Sequence, residues 1–225
     1  MIKTDLEIDW GWVKEILFKK EGIAAGSPGA VLDSADESID KARRLARPKA
    51  IFTKKAVLSY NTDSIKLAGG AEFSGKTISS YIKPAQSIYI FLVTIGPAIE
   101  NEASRLMKTG ESLSGYLLDR ASSFAVESLA DKLENHLRKE YRSKDKSVSM
   151  RLSPGYCDWP IEEQAKFDRM LDFSKIGVRL TESYMMIPQK SISGLIGIGP
   201  MGLFSNVKSQ CEICNMKKDC GYRRV

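Results

Sequence analysis

The sequence predicts an α+β domain: a largely antiparallel sheet with flanking helices. Three observations lead there. Helix and strand signals mix along the chain instead of alternating strictly. Two strand-like runs, "AIFTKKAVLSY" and "SIKLAGGAEF", flank the polar turn "NTD", as in a hairpin. Leu117, Ala121, Ala125, Leu129, Leu133, Leu137 and Tyr141 recur every four residues, the buried stripe of one long helix.

The elements follow in order. "LEIDWGWVKEIL" places Leu6, Trp10, Val13 and Leu17 at helical spacing, with Asp9 where an N-cap belongs. "AAGSPG" breaks the chain. Leu32, Ala35, Ile39, Ala42 and Ala46 mark a second helix, closed by Pro48. Strand character then runs from Ala50 to Ile82, and "QSIYIFLVTIG" reads as the central strand, ended by Gly96 and Pro97. A short helix through Leu106 leads to the long one, about Leu113 to Tyr141, with Phe124 beside its stripe and a charged back. The polar "RSKDKSVSM" and the elbow "RLSPGYCDWP" follow. "IEEQAKFDRML" is a helix with Pro160 at its first turn, and "IGVRLTESYMMIP" and "KSISGLIGIG" are strand candidates. One compact domain over residues 1–206 and a cysteine-rich tail over 207–225 is the simplest division.

Composition narrows the function. With 43% apolar and 28% charged residues among 225, extensive disorder is excluded. No apolar run reaches the roughly 18 residues of a membrane span, and acidic residues in "MIKTDLEIDW" exclude a signal peptide, so a cytoplasmic protein is expected. The net charge is +6, with clusters at Arg43, Arg44, Arg47 and Lys49 and at Lys217, Lys218, Arg223 and Arg224. No recognition helix or aromatic–basic RNA motif accompanies them, so they read as solvated surface and not as a nucleic-acid site.

Several motifs carry potential chemistry. "GIGPMG" at 197–202 matches G-x-G-x-x-G, but only 23 residues follow it, too few for the second strand and acidic residue of a dinucleotide site. Cys211, Cys214 and Cys220 stand in a C-x2-C-x5-C array, with Cys157 as a possible fourth partner. Zinc, an iron–sulfur cluster, a redox pair and ordinary tail thiols all fit that spacing. In "LTESYMMIPQKS", Glu182 beside Met185, Met186 and Pro188 suits either core packing or an organic ligand with a positive centre. The single histidine, His136, reads as a partly exposed helix residue. In the elbow, two prolines and a glycine explain a turn, but not Arg151, Tyr156 and Cys157.

Taken together, "IDW", "ESLADKLENHLRKEY", "RLSPGY", "LTESYMMIP" and "SISG" occur in an order that resembles the activation domain of cobalamin-dependent methionine synthase, here standing alone. The resemblance covers Asp9 to about Pro200. It implies a curved α+β fold around a twisted antiparallel sheet. It also implies binding of S-adenosylmethionine and transfer of its methyl group to a cobalamin held by a partner, a corrinoid-binding methionine synthase or another corrinoid methyltransferase. The electron would come from a flavodoxin- or ferredoxin-like donor. Carried over by motif, Asp9 contacts the ligand's amino-acid portion, Arg151 opens the signature, Ser153 and Gly155 bring backbone close, and Tyr156 supplies an aromatic surface. The family's helix glutamate aligns with Asn135, beside Glu134, and its tyrosine pair with Phe204 and Ser205. The cysteine tail departs from the family pattern. Alternative readings are an iron–sulfur or metal-containing corrinoid activator and a non-catalytic corrinoid-protein cap.

Overall fold

Strand β5 (Ser87–Thr94) is buried at every position except the half-exposed Tyr89, as a central strand must be when both its faces are covered. Its side chains alternate between two cores. Phe91 and Val93 face the first, while Ile88, Ile90 and Leu92 face the second. A computed structural model describes residues 2–3, 6–83, 85–204, 210–214 and 218. In chain order its elements are β1 (Ile2–Lys3), α1 (Trp10–Glu21), α2 (Gly29–Leu45), β2 (Lys49–Tyr60), β3 (Ser64–Leu67), β4 (Glu72–Ser74), α3 (Lys76–Ile82) and β5. Next come α4 (Ala98–Lys108), α5 (Ser112–Arg142), β6 (Lys146–Val148), α6 (Gln164–Leu171), β7 (Arg179–Leu180), β8 (Met186–Ile187), β9 (Ser191–Pro200) and α7 (Gln210–Ile213).

The main sheet runs β4-β3-β2-β5-β9-β6, with β1 added on β2, and every pairing is antiparallel. Helices α1, α2, α4 and α5 contribute the helical part of the first core; α3 and α6 cover the other face. The expected α+β class and antiparallel sheet are therefore what the chain adopts. The expected stripe of α5, Leu117 to Tyr141, is buried at all seven positions.

Differences from the sequence expectation have local causes. The run "SIKLAGGAEF" is two strands, because Gly69 and Gly70 both take positive φ, 93° and 85°, and turn the chain between them. Residues 76–82 are helix α3, although strand character was expected through Ile82. The segment around Met185 is a hairpin of two-residue strands and not a single strand. Strand β6 lies inside the polar stretch after α5; three residues give too short a pattern to read.

The elbow docks on the sheet through main-chain bonds. Leu152 and Leu195 exchange N–H···O bonds of 2.9 and 2.8 Å, extending the β6 edge of β9. Gly194 of β9 makes the approach possible. A Cβ there would lie 2.7 Å from the Leu152 carbonyl oxygen and 2.9 Å from the Phe91 ring. Gly194→Ala is expected to destabilise the fold by about 1–3 kcal/mol. Urea denaturation should show a lower midpoint at unchanged slope. Gly26→Ala, with open space around it, should stay within about 0.5 kcal/mol of the parent.

Candidate ligand-binding site

Between α5, the elbow, the start of α6 and the β7–β8–β9 segment lies a cavity of about 560 Å³, within the range of small-molecule sites. One wall is a face of α5. Glu127, Asp131 and Glu134 recur at i, i+4 and i+7, so they share that face. The opposite wall comes from the elbow, with Arg151, Ser153, Pro154 and Tyr156; Gln164, Met185, Met186 and Lys190 complete the surround.

Arg151 binds the two walls together. Its Nη2 donates to Glu127 at 2.6 Å, its Nη1 reaches Asp131 and, at 3.5 Å, Glu134, and its backbone N–H donates to Glu134 Oε2 at 3.1 Å. Burial works against its charge, yet the Asp131 and Glu127 carboxylates beside it push its pKa above the ordinary arginine value. Glu134 is shared: Arg138, one turn along, donates to its other oxygen at 2.6 Å and to the Val148 and Ser149 carbonyls at 2.9 and 3.2 Å. Among the described residues, three carboxylates thus face two guanidiniums, one more acid than base.

Two further contacts shape the rim. Ser193 donates to Gln164 Oε1 at 2.7 Å, and Gln164 Nε2 donates to the Tyr184 carbonyl at 3.0 Å, tying the β7–β8 turn to α6. Lys190 is held by Asp119 at 2.7 Å and the Ser123 hydroxyl at 2.9 Å. Tyr156 and Met185, roughly half exposed at 45% and 55%, offer an aromatic face and a thioether beside the opening.

A model of the vitamin B12-dependent methionine synthase activation domain matches residues 66–208. The chain belongs to that family. Among solved structures, this activation-domain protein is similar to a crystal structure of the MetH reactivation domain bound to AdoHcy, with a TM-score of 0.62 and 19% identity over 90% of this chain and 76% of that one. At that identity the likeness concerns the fold. No curated protein matches.

Within this activation-domain fold, the residues expected to bind ligand separate. Arg151, Ser153 and Tyr156 line the cavity. Gly155 does not; it takes positive φ, 87°, and its N–H closes the elbow on the Trp159 carbonyl at 2.8 Å. Asp9 lies outside the lining and acts as an N-cap. Its Oδ1 accepts from Trp12 N–H at 3.0 Å, its own N–H donates to Ser128 Oγ at 2.9 Å, and Lys132 stands 3.5 Å away. The Trp12 bond, aided by Lys132, holds its carboxyl below 3.8. Asn135 is exposed, because one residue beyond Glu134 is a rotation of about 100° round the helix. Glu134 faces the cavity in its place. Phe204 packs on Tyr81 with ring centroids 6.0 Å apart, against the second core. Glu127 and Asp131 were missed in the sequence, although their spacing with Glu134 was the available signal.

The metal expectation has a narrower outcome. Among the described residues no three His, Cys, Asp or Glu side chains are arranged to hold a metal ion. Cys220 lies outside the described residues. Burial pushes the Cys157 thiol up to about 12, and the neighbouring Cys214, Asp158 and Cys211 act in the same direction.

Asp158 anchors the elbow to α3, accepting the Thr77 N–H in that helix's first turn at 3.2 and 3.1 Å. Burial opposes its ionisation, but the Thr77 bonds outweigh that and hold its pKa below 3.8. Asp158→Ala should destabilise the protein by about 1 kcal/mol at neutral pH. A depressed folded-state pKa contributes stability that is present above the unfolded value and lost as pH falls through the folded one. The gap between variant and parent should therefore close on acidification below the ordinary value of 3.8, read by unfolding curves across that range.

Proposed function

We propose that this protein binds S-adenosylmethionine in the cavity beside the elbow and donates its methyl group to a cobalamin carried by a corrinoid-dependent methyltransferase. In this reading, cobalamin left oxidised as cob(II)alamin is restored to methylcobalamin by one electron and one methyl group. The sulfonium loses its methyl and leaves as the thioether S-adenosylhomocysteine. The electron comes from a flavodoxin- or ferredoxin-like donor, and the corrinoid partner is methionine synthase or a related methyltransferase.

The observation that carries the reading is the acid surplus around Arg151. A sulfonium carries a fixed positive charge, and the wall of Glu127, Asp131 and Glu134 attracts one. Arg151 does not need to touch the ligand for this. Already engaged by the acid face of α5, it sets the elbow at the right distance from that wall. Tyr156 supplies a face on which an adenine can stack, and Met185 and Met186 supply polarizable contact. Asp131, at 45% side-chain exposure the most open of the three acids, is the one best able to meet the sulfonium.

Calorimetry tests this. The parent should bind S-adenosylmethionine, and Asp131→Asn, which keeps the shape and removes the charge, should weaken it about tenfold. S-adenosylhomocysteine, lacking the sulfonium, should lose much less. No binding of S-adenosylmethionine by the parent, with or without a corrinoid partner, excludes the methyl-donor role. Equal losses for both ligands would remove the charge argument.

A further inference from the structure

Among the described residues, two cations line the ligand cavity, Arg151 and Lys190. Arg151 is engaged by Glu127, Asp131 and Glu134. Lys190 belongs to a separate group. Its Nζ stands 2.7 Å from Asp119 Oδ1 and donates to Ser123 Oγ at 2.9 Å. An ammonium has three donors. Among the described residues no third acceptor meets this one. Ser123 lines the cavity and Asp119 does not, so the acid holds the ammonium from outside. The Lys190 side chain is only 12% exposed, against 40% for Asp119. Water therefore screens the acid more than the base, and a cation so far withdrawn favours a further anionic partner.

The backbone that presents Lys190 is held on both sides. Its carbonyl accepts the Ile95 N–H at 3.2 Å, just past the end of β5. The Gln189 N–H donates to Glu100 Oε2 on α4 at 2.8 Å, and the Ser191 hydroxyl donates to the Pro188 carbonyl at 2.8 Å. The ammonium is thus delivered to the cavity edge from a fixed main chain. On α5, Ser123 and Asp131 are eight residues apart, about 12 Å along the axis. The cavity accordingly has an acid wall at one end and a lysine at the other.

We propose that Lys190 is the specificity-determining cation of this cavity and receives the α-carboxylate of the ligand's methionine portion. The proposal rests on the cavity being the S-adenosylmethionine site. In that ligand three carbon atoms separate the sulfonium from the carboxylate. Extended, with an ion contact at each end, the segment spans the distance between Asp131 and the ammonium beside Ser123. The sulfonium then faces the acids and the carboxylate faces the base. The third ammonium donor supplies a charge-assisted hydrogen bond to the carboxylate. Arg151 keeps its place on the acid wall.

Calorimetry on the full chain with two ligands tests this. One is S-adenosylmethionine; the other is its decarboxylated analogue, which keeps the sulfonium, the amine and the nucleoside. The parent should bind S-adenosylmethionine about tenfold more tightly than the analogue. Lys190→Gln should abolish that preference by weakening S-adenosylmethionine alone, and Lys190→Arg, which keeps the charge, should retain it. Asp119→Asn removes the competing acid and should widen the preference. A lysine that serves only to pair Asp119 would give Lys190→Gln a lower unfolding midpoint and the parent's ratio of affinities, which overturns the proposal. An unchanged or narrowed ratio in Asp119→Asn overturns it too, whether or not Lys190→Gln folds. Equal binding of both ligands by the parent removes the carboxylate contact and leaves the cavity reading standing. No binding of either ligand overturns the cavity reading and this contact together.

Discussion

The Arg151 guanidinium meets carboxylates from three turns of α5, and the position of the elbow depends on that contact. The side chain is only 18% exposed, and so is its partner Glu127. A charge buried to that degree must be paired, and removing one partner of such a pair typically costs about 3–5 kcal/mol. The elbow is consequently fixed at two points: by Arg151 on the helix side and by the Leu152–Leu195 bonds on the sheet side. Between those attachments the chain has little freedom, and the residues after it, Ser153 to Tyr156, are delivered to the cavity by construction.

The same arrangement explains why a helix of 31 residues is needed. One stripe of α5, Leu117 to Tyr141, belongs to the first core, while another face supplies the acid wall. The two demands coexist because, at the height of Glu127 to Glu134, the buried Ala125, Leu129 and Leu133 lie on the opposite side of the helix from the acids. Trp159 completes the support from below. Only 2% exposed, it packs edge-on against Phe73 and beside Phe167, both with ring centroids 5.6 Å away. The elbow is thus an anchored structure with a polar upper surface, as a preformed ligand site requires.

The central strand, the long helix and the elbow were legible because each carries a strong local signal: an apolar run, a four-residue period, and Pro and Gly at close spacing. The site was half legible. Arg151 and Tyr156 stand in a recognisable motif, but Glu127 and Asp131 were read as part of a solvated helix back. Their partner lies 20 or more residues away in sequence, so their shared face with Glu134 was the one local hint of a pairing. Asn135 stands one residue past the cavity-facing Glu134, which on a helix is enough to turn its side chain to solvent. Asp9 was ambiguous for a different reason. One carboxylate suits both a helix cap and a ligand amine, and the Trp12 bond shows the cap.

The central claim is that the acid face of α5 and the elbow form the two walls of one ligand site. Amide hydrogen exchange with and without S-adenosylmethionine tests it most directly. The account predicts that ligand slows exchange in the elbow, residues 151–159, and in the β7–β8 turn at Tyr184 and Met185, while amides around Asp9 and Trp12 stay unchanged. Protection centred on Asp9 and Trp12, with the elbow unaffected, would contradict it.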